Sequence, residues 1–330
     1  AINFSNNKFE SAILKSLKQY IFVFKEKKIL NNEKNLGELS IITETFQRCY
    51  LDDERTDIYF TNLFSSASTD YTRYIFFYLS YLIENKNLAP IKEILDDIDF
   101  MKSPLLLSQA KSWIKNNKKE KIVEFFSCKN HNDLISEFLF LISNLYSSEE
   151  NFEKSNFYLN LSNYLNPKFI FNLSLVAENQ FFNKDYQAVK KTLKNFKKEN
   201  IFYYWYRIKK EAKIISKLNS QKDSIDFVEN EFDKIENPNN KIIFDIANFY
   251  RNSKEYKKAI KFYTKILNVI NENSDIKFDL LYRRGSCFER IGDFEKADKD
   301  LLASLKINAD DAYVLNYLAY SWLERNYKIE

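Results

Sequence analysis

His131 is the only histidine in 330 residues, and it stands in the polar run Cys128-Lys129-Asn130-His131-Asn132. A histidine near a cysteine is the pairing that zinc sites and thiol nucleophiles use. Zinc takes four ligands, or three and a water, and only Cys128, His131 and Asp133 lie together here. A Ser-His-Asp triad would have to use His131, and no orienting context surrounds it. The run reads as a capping loop ahead of a helix. The glycines are Gly37, Gly285 and Gly292 alone, which excludes glycine-rich phosphate loops and dinucleotide sites. The acidic pairs Asp52-Asp53 and Asp96-Asp97 fall near helix ends and turns, where carboxylates are solvated or complement the helix dipole. The sequence therefore predicts no catalytic residue, no cofactor and no metal.

Cys49, Cys128 and Cys287 are far apart, odd in number and form no CxxC. They predict small buried hydrophobes rather than a disulfide framework. Lysines cluster at Lys118-Lys119 with Lys121, and at Lys190, Lys191, Lys194, Lys197 and Lys198. The second set has helical spacing and reads as a solvated outer face. Net charge is +4, and the pI of 8.6 falls short of a nucleic-acid binder's basic excess. No nucleic-acid partner is expected. The longest dense apolar run, Tyr74 to Ile83 interrupted by Ser80, is far below the ~20 residues that span a bilayer. No membrane span is expected, and no signal peptide is visible.

What remains is a chain of helices. Three glycines and four prolines, against average usage near 7% and 5%, suit helices joined by short turns, and an AT-rich genome would write the same shortage. Small residues at one structural position recur at Thr43, Ser80, Ala110, Ser143, Ala177, Ala212, Ala247, Gly285 and Ala319. Successive gaps are 37, 30, 33, 34, 35, 35, 38 and 34 residues. A regular beat follows when each helix pair must present the same surfaces to the next.

The clearest unit is 278–311. Its first helix carries Leu281, Gly285 and Phe288, its turn is Ile291-Gly292-Asp293, and its second helix carries Ala297, Leu301 and Ser304. Residues 136–169 fit well, with Leu139, Ile142, Ser143 and Tyr146, a turn at Glu149-Glu150-Asn151, then Ser155, Leu159 and Ser162. Asn166-Pro167 stops that helix. Residues 170–204 show a turn at Asn183-Lys184-Asp185 followed by Ala188. Residues 205–238 show Ile208, Ala212 and Ile215, then Ser224 and Val228. Residues 240–273 show Ile243, Ile246, Ala247 and Tyr250, then Ala259, Tyr263 and Ile266, with a lengthened loop at Asn271 to Asp275. A partial unit covers 312–330. Over 1–135 the motif fades, but helix pairs are expected at 36–48 with 55–65, 72–84 with 90–98, and 104–115 with 119–127. Asn6 to Ala12 reads as the turn and second helix of a unit.

The 34-residue unit, with its small and large apolar positions and central turn, resembles the tetratricopeptide repeat (TPR). The resemblance implies an all-α fold: one continuous α-solenoid of antiparallel helix pairs, a TPR-like right-handed superhelix. In TPR proteins the first helices line a concave groove that takes peptides. The corresponding residues here are Phe140 and Asn144; Lys209, Lys213 and Lys217; Phe244, Asn248 and Arg251; Tyr282, Ser286 and Glu289; and Tyr313, Asn316 and Tyr320. They mix aromatic anchors with amide and cationic groups. The lysines form a ridge suited to an acidic peptide. Charge reversal there, or Phe244→Ala, is expected to weaken partner capture without unfolding. Chaperone-binding TPR domains clamp a C-terminal carboxylate with Lys and Asn on successive first helices. Here Lys213 replaces the first Asn, Asp245 stands at the second, and Asp279 precedes Arg283 where Lys should be. That clamp is excluded for 205–311.

The run Asp310-Asp311-Ala312-Tyr313 leading into Asn316 to Tyr320 resembles long, largely uncharacterised multi-repeat TPR proteins of bacteria, many of them exported. The resemblance implies an envelope or periplasmic site without excluding the cytoplasm. Ala1 at the start, and a first helix ending near Glu330 without its second, predict a fragment of a longer protein. The function expected is a non-enzymatic protein- or peptide-binding scaffold. The alternatives are the interaction arm of a larger enzyme or envelope assembly, or a structural protein that self-associates through its uncapped last helix.

Overall fold

A computed structural model describes residues 6–29, 34–64, 73–96, 101, 103–271, 274 and 276–327. Among them are eighteen α-helices and no strand. After α1 (Asn6–Glu26) the helices run in pairs. These are α2 (Ser40–Leu51) with α3 (Thr56–Phe64), α4 (Arg73–Glu84) with α5 (Ile91–Asp96), and α6 (Leu105–Lys115) with α7 (Glu120–Phe125). Then come α8 (His131–Ser148) with α9 (Phe152–Leu165), α10 (Asn172–Phe182) with α11 (Tyr186–Leu193), and α12 (Ile201–Leu218) with α13 (Gln221–Phe232). The series closes with α14 (Asn240–Asn252) and α15 (Tyr256–Leu267), α16 (Lys277–Arg290) and α17 (Phe294–Ile307), and α18 (Ala312–Glu324). The pairs expected before residue 135 are all present. Residues 65, 72, 97 and 98 of those expected helices, and Glu272, Asn273 and Asp275 of the lengthened loop, lie outside the described residues.

The chain divides into two compact units: Ala1–Ile98 with Ser103–Tyr204, and Asp99–Lys102 with Trp205–Glu330. The boundary falls inside α12.

One turn geometry recurs within the pairs. A residue in the left-handed region ends the first helix, and the next backbone N–H donates to the carbonyl five residues earlier. Glu150 (φ 58°), Lys184 (61°), Lys254 (63°) and Gly292 (81°) hold that conformation. Asn151, Asp185, Glu255 and Asp293 make the closing bonds, to Tyr146, Gln180, Tyr250 and Phe288. Those bonds satisfy carbonyls that a helix end leaves open. Asn151, Asp185 and Asp293 then cap the second helix through a side-chain oxygen. The same turn appears in the faded region, at Asp52, Lys86 and Asn117.

Small residues sit where the helices of a pair meet. Ser143 and Ser155 approach to 3.0 Å between hydroxyls, as do Ser136 and Ser162. Gly285 leaves no room for more: a Cβ there would stand 3.0 Å from Leu301 and 3.1 Å from Asp300. Thr43, Ser80, Ala110, Ser143, Ala177, Ala212, Ala247 and Gly285 are buried. Ala319 is exposed, because no helix follows α18 among the described residues to cover it. In α11 the buried position belongs to Val189 rather than Ala188.

In the first unit α1 is a single long helix, and residues 6–12 belong to it rather than to a turn. It packs on α8 through Phe9 against Tyr146 and Tyr20 against Phe138. Phe46, Phe60, Phe77 and Phe126 meet edge to face in the core. The cysteine expectation needs correction. Cys49 and Cys128 are buried, but they form a disulfide, with Cα atoms 5.6 Å apart. Seventy-nine residues separate them, and no spacing rule connects the end of α2 to the loop before α8. Cys287 is the buried free thiol, and burial pushes it up to about 11.

Candidate functional site

His131 opens α8 beside its cap Asn130. Its Nε2 lies 2.6 Å from the Tyr50 hydroxyl, and its ring packs on Phe24. It is therefore engaged in packing between α1, α2 and α8.

The expected groove residues divide between the units. Phe140 and Asn144 belong to the first. Asn144 is exposed, but Phe140 is 8% exposed. The Arg73 guanidinium lies 3.8 Å from the Phe140 ring centre and forks onto Glu137 at 2.9 and 2.6 Å. Phe140 thus forms one wall of a buried ion pair.

In the second unit the expected residues lie along the junctions between successive first helices. From α12 to α14, Lys209 meets Asp245 at 2.6 Å, and Trp205 donates to the same carboxylate at 3.1 Å. From α14 to α16, Asn248 accepts from Arg283 at 3.0 Å, and Arg251 reaches the Ser286 hydroxyl at 3.3 Å. From α16 to α18, Tyr317 donates to Glu289 at 2.9 Å, and its ring meets Tyr282 edge to face. Asp279 takes Arg283 at 2.9 Å. Both acids at the carboxylate-clamp positions thus hold cations of this chain.

Some expected residues are not open to a ligand. Phe244 is 5% exposed, between Tyr263 and Arg283, and Ser286 is 3% exposed. Since Phe244 is core, the expectation that Phe244→Ala leaves the fold intact is corrected. Lys213, Lys217, Asn316, Tyr313 and Tyr320 are exposed, the two tyrosines at 80% and 69%.

Beside this row lies a hollow of about 230 Å³, lined by Arg251, Asn252, Tyr256, Ser286, Arg290 and Tyr317. It opens at the C-terminal ends of α14 and α16 and the start of α15. Arg251 donates its Nε to the Ser286 hydroxyl. Arg290 reaches Glu289 at 3.7 Å and also engages the Tyr317 hydroxyl. Burial, and then the Glu289 carboxylate, push the Tyr317 phenol above its ordinary range, so it stays a neutral donor. Sequence reasoning included Arg251 and Ser286 but missed Asn252, Tyr256, Arg290 and Tyr317. Tyr256 sits on a second helix, and the other three lie one position off the expected stripe.

A family model for the tetratricopeptide repeat matches residues 241–273 and 278–311. Those spans are the α14–α15 and α16–α17 pairs, whose turns, buried small residues and inter-helix bonds are described above. This is a TPR-type repeat protein. A search of curated proteins found no match. TPR repeats are protein-interaction elements in general. No described helix is long and apolar enough to cross a membrane.

Proposed function

We propose that this TPR protein is a non-enzymatic scaffold that binds a peptide or an extended protein segment along the first helices of residues 205–330. The observation that carries this reading is the hollow lined by Arg251, Arg290, Tyr256 and Tyr317, whose helix α18 also carries the exposed Tyr313 and Tyr320. Two guanidinium groups lining one hollow suit a carboxylate or a backbone carbonyl. The Tyr256 hydroxyl and the Asn252 amide add donors and acceptors at low entropic cost. At about 230 Å³ the hollow falls below the roughly 300–1,000 Å³ of drug-sized ligand sites. It suits one side chain of a longer ligand.

The test pans the immobilised chain against random twelve-residue peptides. Recovered peptides should compete for one site. They should lose about tenfold in affinity when Arg251 and Arg290 are both changed to Gln, since each removes a charged hydrogen bond. Circular dichroism should stay helical. Peptides indifferent to both arginines, and to Tyr313→Ala with Tyr320→Ala, would sink the reading.

A further inference from the structure

Two lysine runs far apart in sequence meet in the first unit. Lys118 and Lys121 come from the α6–α7 turn and α7, and Lys197 from the segment between α11 and α12. They rim a hollow of about 560 Å³, and all three are exposed. Helix α6 builds one wall, because Gln109, Ser112, Trp113 and Asn116 fall on one stripe at helical spacing. The floor is apolar: Trp113 meets Phe125 at 4.8 Å edge to face, joined by Ile170 and Phe202.

Three features point to a ligand. The volume falls within the range of side-chain and small-molecule sites. Three lysines face one carboxylate, Glu199, and among the described residues none of the three makes an ion pair. Gln109 is 2% exposed and lines the hollow, yet its Oε1 has no protein partner. Buried acceptors are almost always satisfied, so this one awaits a donor. Asn116 and Asn195 spend their amide nitrogens on Ser112 and Thr192 carbonyls, which leaves their carbonyl oxygens as further acceptors.

We infer that this hollow is a second binding site, separate from the first-helix row, and that it takes a peptide segment with an apolar side chain flanked by acidic residues. The apolar side chain fills the floor beside Trp113. The acids meet Lys118, Lys121 and Lys197. Backbone N–H groups of the segment supply the donor that Gln109 lacks. Nucleic acid would use the same lysines, but the net excess of two positive charges is small for a phosphate backbone.

The probe is a fluorescein-labelled peptide, acetyl-Glu-Asp-Phe-Leu-Glu-Asp amide, followed by anisotropy on the full chain. Saturable binding is expected. Lys121→Glu with Lys197→Glu should weaken it about tenfold, since both rim charges are reversed. Replacing Phe-Leu by Gly-Gly should abolish it. Arg251→Gln with Arg290→Gln should leave it unchanged, which separates this site from the first-helix row. Equal binding by the charge-reversed protein or of the Gly-Gly peptide overturns the inference. So does tighter binding of a twelve-nucleotide single strand at the same salt.

Discussion

At the scale of single residues, burial decides which side chains serve the fold and which a ligand. Phe244 lies on the first-helix stripe by spacing, but Tyr263 and Arg283 close over it. Phe244→Ala should cost about 3–5 kcal/mol in urea unfolding; a stable variant with impaired peptide capture would restore it to the groove. Gly285 tests the close approach of α16 and α17. Gly285→Val should cost about 1–3 kcal/mol through overpacking against Leu301, read in the same way. Asp133 gives a pH dependence. Burial is the largest influence on it and raises its carboxyl to about 6, although the Ser127 N–H and Lys168 pull downward. Its folded value therefore exceeds its unfolded value of 3.8. Between these values the folded state binds more protons, so this group's contribution to stability grows as pH falls from about 6 to 4. Asp133→Asn should raise stability by about 2 kcal/mol at pH 8 and remove that slope. A thermal-unfolding series with the same slope in both proteins would show otherwise.

At the scale of elements, the helix pairs were legible, and so were the turns at 149–151, 183–185 and 291–293, whereas the turns before residue 135 were not. Capping residues such as Asn151, Asp185 and Asp293 mark the second-helix starts in plain sequence. The left-handed residue before them is glycine only at 292. Elsewhere Glu150, Lys184 and Lys254 bear the steric cost of that conformation, so no glycine marks the turn and only the polar residues around it do. That is why the first 135 residues read as faded although Asp52, Lys86 and Asn117 close the same geometry. Lys254→Gly should therefore stabilise the second unit by about 1 kcal/mol, by relieving the Cβ clash in the left-handed region. A lower melting temperature for this variant would contradict the turn assignment. The hollow by α14 and α16 was half legible: Arg251 and Ser286 lie on the expected stripe, whereas Tyr256 enters from the second helix of the pair.

At the scale of the molecule, the disulfide is the feature that spacing could not announce. It closes 79 residues of the first unit, and such a bond persists in oxidising surroundings. Reduction, or Cys49→Ala with Cys128→Ala, should cost about 2–4 kcal/mol. Denatured but unreduced protein should take up alkylating reagent at Cys287 alone, and reduced protein at all three cysteines; three labels without reductant would exclude the bond. The sequence by itself determined the all-α repeat, the alternation of helices and the mismatch with the carboxylate clamp. Those properties are written in helical periodicity, caps and local residue type, which act within one unit. Tertiary structure alone decided that Cys49 meets Cys128, that Phe140 and Phe244 are core, and that Lys121 and Lys197 rim one hollow. Each depends on which elements pack together across tens of residues, and no local pattern carries that distance.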